Sequence, residues 1–170
     1  MCIRDRHYID LINMWGDVPA RLTSLNADNM YSGREDRDVI YKQLIIDLQE
    51  AQDLCAWPNE IDATKTVERV NKVFVKGLLA RVCLQASGYA QRLDGENRLS
   101  TDPELSKARL YPIALQACKD VMEQEGTYVA LKSNFEDIFN NNGISGDVIN
   151  AGSESLFEIG YSNNPARGRI

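Results

Sequence analysis

Asn71-Lys72-Val73-Phe74-Val75-Lys76-Gly77-Leu78-Leu79-Ala80-Arg81-Val82-Cys83-Leu84 is the stretch on which the fold turns. Phe74, Val75, Leu78, Leu79, Val82 and Cys83 recur at helical spacing and cover most of the circumference. A helix that is apolar nearly all round is enclosed on several sides. The spacing therefore predicts a central helix over residues 71–89, with Asn71 as its N-cap. Gly77 and Ala80 leave room for neighbouring helices to approach closely.

Towards the N-terminus, Ile40, Leu44, Leu48, Ala51 and Cys55 form one stripe of a second helix, expected over 35–55. Ser32-Gly33-Arg34-Glu35 has the spacing of a capping box ahead of it, and Trp57-Pro58-Asn59 breaks it. A first helix is expected over 4–14, with Tyr8, Leu11, Ile12 and Trp15 as its buried stripe. Gly16 and Pro19 end that helix. In the Trp15-to-Pro19 turn the indole is expected to close over the helix, and Asp17 to accept backbone N–H bonds.

Towards the C-terminus, residues 90–107 are polar and rich in turn formers. A fourth helix is expected over 111–125, with Pro112 in its first turn and Ala114, Leu115, Cys118, Val121 and Met122 on its buried face. Phe135, Ile138 and Phe139 suggest a short helical turn before the Asn140–Gly143 loop. Alternation over Leu156–Tyr161 predicts a strand. Helices two, three and four start roughly 36–40 residues apart, near the spacing of helical repeats. The expected fold is mainly α: tetratricopeptide-like helical hairpins with long loops and one or two short strands near the C-terminus.

The chain has 170 residues, enough for one domain, and 44% hydrophobic residues can build its core. Nineteen Lys and Arg against 25 Asp and Glu give a net charge of −6. An acidic chain without a basic cluster is a poor nucleic-acid binder, because phosphate neutralisation is missing, so no nucleic-acid partner is expected. No apolar run approaches the length of a membrane-spanning helix. Cys55, Cys83 and Cys118 fall on apolar helical positions and read as small buried hydrophobes. No cysteine pair has metal-site spacing and His7 is the only histidine, so no metal and no cofactor is expected. His7 also lacks a nucleophile at a recognisable spacing, so no catalytic residue is assigned. The pairs Asp36/Asp38, Asp47/Glu50 and Glu123/Glu125 read as solvated helix charge, and Asp94-Gly95-Glu96-Asn97 reads as a plain turn.

Three segments, in this order, carry a resemblance. They are Trp15-Gly16-Asp17-Val18-Pro19 after an aromatic helix, Arg69-Val70-Asn71-Lys72 running into Leu78–Leu84, and Ser153-Glu154-Ser155-Leu156-Phe157-Glu158-Ile159. Gly126-x-Tyr128-x-x-Leu131 adds a fourth match. Together they resemble the SusD/RagB family, over about His7 to Tyr161. Asn71 stands where that family commonly has Thr, and Cys83 where it commonly has Tyr. Residues 1–6 do not match and are read as a non-native leader; residues 7–170 are read as part of a single SusD/RagB-like helical domain.

The resemblance implies a non-enzymatic, lipid-anchored protein on the outer-membrane surface, its anchor lying on a segment that precedes this sequence. It implies capture of an oligosaccharide or other nutrient and delivery to a SusC-like, TonB-dependent transporter. The matching motifs specify scaffold, so no binding residue transfers with them. From residue type alone, Tyr31, Trp57 and Tyr161 are the candidate ligand-binding residues, since aromatic faces pack on the C–H faces of sugars. The same rings can instead close an edge of the core. Two other classes stay open: a soluble helical-repeat scaffold that binds protein, and a helical glycosidase.

Overall fold

The computed structural model describes residues 2–28, 30–136 and 154–159. Its helices are α1 (Cys2–Trp15), α2 (Arg37–Leu54), α3 (Lys72–Ala86) and α4 (Lys107–Met122). An antiparallel hairpin of β1 (Ala90–Gln91) and β2 (Asn97–Arg98) pairs Ala90 with Arg98 and Gln91 with Asn97. Short 3-10 turns cover Asp62–Thr64 and Pro103–Leu105. The fold is mainly α, as the helical spacing predicts. It divides into two compact units: Met1–Leu54 with Val75–Met122, and Cys55–Phe74 with Glu123–Ile170.

In the first unit, α1 buries Asp5, Tyr8, Ile9 and Ile12. The expected stripe is thus corrected by a small rotation, which leaves Leu11 exposed and Trp15 66% exposed. Charge pairing explains the shift. Arg4 binds both Asp5 and Asp47, drawing two carboxylates inward that polarity alone would leave in water. Asp47, also held by Gln43 Nε2 at 2.8 Å, is therefore not the solvated charge expected. Burial raises the Asp5 pKa above its ordinary value, against the opposing pull of Arg4.

Gly16 ends α1 in a left-handed conformation, φ +73°, with its N–H donating to Ile12 O at 2.9 Å. A Cβ there would lie 2.5 Å from Arg37 Nη2. Asp17 follows and is buried. It holds the next helix rather than its own turn, accepting the Arg37 backbone N–H at 2.9 Å and Nε at 3.0 Å. Burial opposes its ionisation, but the Arg37 bonds prevail and hold the carboxyl below the ordinary value.

Asp36 caps α2, its Oδ1 accepting the Asp38 N–H at 2.9 Å, so the capping box expected at Ser32–Glu35 is not what starts this helix. Ile40, Leu44, Leu48 and Ala51 are buried as predicted, while Cys55 is half-buried. The part of α3 in this unit buries Val75, Leu79, Val82 and Cys83. Lys76, only 8% exposed, donates from Nζ to Gln52 Oε1 at 3.0 Å and Asp120 Oδ2 at 2.5 Å, linking α3 to α2 and α4. The helix stops at Ala86, where Ser87 Oγ donates to Cys83 O at 2.8 Å, and Tyr89 is left exposed.

The polar stretch after α3 is more ordered than composition suggests. Arg92, buried beside the hairpin, donates to Asp38 Oδ1 at 2.6 Å, and Ser100 Oγ donates to Asp38 Oδ2 at 2.5 Å. Asp36 and Asp38 therefore clamp this segment instead of standing as solvated charge. Asp102 Oδ1 accepts the Glu104 N–H at 2.9 Å and starts a 3-10 turn that buries Leu105.

α4 begins at Lys107, with Ser106 O accepting from Arg109 and Leu110, so Pro112 lies inside the helix and not in its first turn. The carbonyl that loses its partner belongs to Ala108, an exposed residue, where water can serve. The buried face is Leu110, Ala114 and Ala117; Leu115, Cys118 and Met122 are exposed, contrary to expectation.

In the second unit, Asn71 Oδ1 accepts the Phe74 N–H at 3.0 Å, the N-cap that the sequence predicts. Asn71 Nδ2 also donates to Leu156 O at 3.2 Å, and Phe74 stacks on Phe157 with ring centroids 4.4 Å apart. Glu158 N–H donates to Val67 O at 3.0 Å. Residues 155–159 form no strand ladder: side chains and one backbone bond hold the segment predicted as a strand. Ile138, Phe139, the Asn140–Gly143 loop and Tyr161 lie outside the described residues.

Candidate functional site

In the second unit Trp57 opens a tight turn. Its N–H donates to Glu60 Oε2 at 2.7 Å, and its carbonyl accepts from Glu60 N at 3.2 Å and Thr64 Oγ1 at 2.8 Å. Asn59, with φ +63°, supplies the left-handed residue that reverses the chain. The indole is half-buried and lies parallel to the half-buried Tyr128 ring, with centroids 5.3 Å apart and planes 4° from parallel.

Tyr128 is set by its own turn. Gln124 O accepts from Thr127, Tyr128 and Val129, and Gly126, at φ +81°, donates its N–H to Val129 O at 2.7 Å. Lys72 completes the group. It is the first residue of α3, its backbone N–H donates to Ala56 O at 2.8 Å, and its Nζ stands 5.3 Å from the Trp57 centroid. That is within cation–π range. Backbone bonds thus hold the turns that carry the two aromatic rings and the helix start that carries the lysine. Half-buried, the stacked pair leaves part of its aromatic surface to solvent, beside an ammonium that donates to oxygen.

Of the three candidate residues, Trp57 sits in this cluster. Tyr31 lies on a loop of the first unit, 93% exposed. Tyr161 is outside the described residues. Tyr128 and Lys72 were not singled out from the sequence as binding residues. Tyr128 is visible there only as part of the Gly126 turn, and Lys72 only as a helix start; nothing local to either places it on Trp57. Trp15, assigned a structural role, is an exposed aromatic too.

Elsewhere, His7 is exposed. Among the described residues no group of three or more His, Cys, Asp or Glu is placed to hold a metal. Asp94–Asn97 closes the β1–β2 hairpin, with Glu96 N–H donating to Asp94 Oδ1 at 3.0 Å, Arg98 paired to Asp94 at 2.7 Å and Gly95 at φ +87°. No helix among the described residues is long and apolar enough to cross a membrane.

The fold has a counterpart among solved structures. A crystal structure with xylogluco-oligosaccharide superposes with a TM-score of 0.53 at 25% sequence identity. The match covers 82% of this chain and 25% of that one, so the chain spans a quarter of the length of the protein it resembles. No protein-family profile matches the sequence, and no curated protein matches it.

Proposed function

We propose that this chain is part of a carbohydrate-binding protein of the SusD/RagB type, which captures an oligosaccharide and passes it to a TonB-dependent, SusC-like transporter. The observation that carries the reading is the structural match, over most of this chain, to a protein crystallised with xylogluco-oligosaccharide. Two further features agree with it: the motifs from Trp15 to Pro19, Arg69 to Leu84 and Ser153 to Ile159, and the parallel Trp57–Tyr128 pair beside Lys72. The transporter, the outer-membrane surface, the lipid anchor and the absence of turnover belong to the same proposal and rest on the resemblance of those motifs. Trp57 is the candidate contact to which the pair gives weight. Tyr31 and Tyr161 remain proposed contacts by residue type alone.

The two tryptophans make the test internal to one sample. Xylogluco-oligosaccharide is titrated into 15N-labelled protein, and the indole N–H resonances of Trp15 and Trp57 are followed. Displacement of the Trp57 resonance in a saturable manner, with Trp15 stationary and the oligosaccharide recovered uncleaved, is the expected result. No displacement of either resonance at millimolar sugar refutes the assignment to this site, and cleavage of the sugar refutes the non-enzymatic reading.

A further inference from the structure

α4 carries two apolar faces. One, made of Leu110, Ala114 and Ala117, is buried in the first unit. The other is Ala108, Tyr111, Leu115, Cys118 and Met122, which follow one another at alternating steps of three and four residues. That is the spacing of a helix that packs along a second helix. All five are exposed, Tyr111 by 46%, Leu115 by 56% and Met122 by 71%. At 3.6 residues per turn they fall within about 80° of the helix circumference, along about 21 Å of its length. Single exposed apolar side chains are ordinary on a protein surface. Five in one narrow line, with no charged residue among them, form a packing seam.

We propose that this seam pairs two copies of the chain, α4 against α4 and antiparallel. The order of side chains along the seam selects both the partner and the direction. With a two-fold axis between Gln116 and Ala117, Tyr111 lies level with the partner subunit's Met122, and Leu115 with the partner subunit's Cys118. Each layer then sets a large side chain against a flexible or a small one, and the thioether meets the aromatic ring. The symmetry makes each of these contacts twice. Parallel packing would instead set Tyr111 on Tyr111 and bring together two copies of the basic first turn, Lys107 and Arg109, which holds no acid to offset them. Antiparallel packing places that turn near the negative, carbonyl end of the other helix. One helix pair of this length buries less than the about 1,200–2,000 Å² of a standard interface, so the association is weak, in the micromolar range. The inference is independent of the glycan reading.

Sedimentation equilibrium on the full chain, from about 1 to about 500 µM, measures the pairing. The average mass is expected to rise from 19.1 kDa towards twice that value. Alkylation of Cys118, fast in dilute protein, is expected to slow over the same range. Leu115→Glu, at an exposed position, should keep native circular dichroism and stay monomeric. Tyr111→Lys and Met122→Glu should each weaken pairing by about tenfold or more. Their combination should recover it at low salt, because antiparallel packing sets each new lysine against a new glutamate. A chain that stays at 19.1 kDa throughout overturns the inference and leaves the seam to a different partner, and a Leu115→Glu variant that still pairs overturns it too. A double variant that pairs no better than the single ones overturns the antiparallel direction and the layers that follow from it.

Discussion

Leu79 and Leu84 lie five residues apart on α3, yet only one is enclosed. Leu79 is 1% exposed in the core of the first unit, and Leu84 is 52% exposed. Replacing each with alanine changes helix propensity by the same small amount, so the difference between the two variants isolates burial. For Leu79→Ala the lost transfer free energy and the cavity left behind together come to about 3 kcal/mol, within the range of buried Leu→Ala changes. For Leu84→Ala half the side chain is already in water, and the loss is about 1 kcal/mol or less. The expected gap of about 2 kcal/mol corresponds to a difference in melting temperature of about 4–8 °C for a chain of this size. Guanidinium unfolding followed by far-ultraviolet circular dichroism measures it, with equal slopes required for the comparison. Equal destabilisation by the two substitutions would refute α3 as an enclosed helix, and with it the reading that starts from Asn71–Leu84.

Further expectations follow from caps, charges and thiols. Asn71→Ala removes the oxygen that accepts the Phe74 N–H and the amide that donates to Leu156 O, and should cost about 1 kcal/mol, with faster hydrogen exchange at Phe74. Lys76→Met should destabilise the protein at neutral pH. The Lys76 hydrogen bond, against the opposing effect of burial and with help from Gln116, holds the Asp120 carboxyl below its ordinary 3.8. A lowered folded pKa contributes stability that is present above 3.8 and is lost as pH falls through the folded value. The part of the penalty due to this pair should therefore shrink when unfolding is repeated at pH about 2.5, and a penalty that grows there would contradict the pairing. Cys118 is exposed and Cys83 buried, with its thiol pushed up to about 11 by burial. Iodoacetamide at neutral pH should label Cys118 in the native protein and Cys83 only after unfolding, read by peptide mass spectrometry.

Much of the secondary structure is local physics and was legible. The all-round apolar pattern of α3, its Asn71 cap, the α2 stripe from Ile40 to Ala51 and the Gly16 stop each depend on residues within a few turns. The errors have two sources. α1 and α4 each carry more apolar positions than one buried face needs, so periodicity leaves their rotation open. In α1 the choice falls to Asp5 and Asp47, drawn inward by Arg4. In α4 it turns the face to Leu110, Ala114 and Ala117, leaving Leu115 in water. Carboxylates were the other blind spot: Asp38 and Asp47 look like solvated charge until Arg92 and Arg4 arrive from distant segments, and Asp17 looks like a cap of its own turn until Arg37 arrives.

The candidate site divides along the same line. Residue type alone marked Trp57 as an aromatic just past a helix, and its turn partners Glu60 and Thr64 are near in sequence. Its ring partner Tyr128 is not, and no periodicity or cap links the two. The amino-acid sequence by itself determined a mainly α chain, a central enclosed helix and where that helix begins, because propensity, capping and apolar spacing act over one or two turns. Tertiary structure decided which helix faces are buried, which carboxylates are paired and which ring stacks on Trp57, because those depend on how separated segments return to one another, and burial and ion pairing act only once they meet.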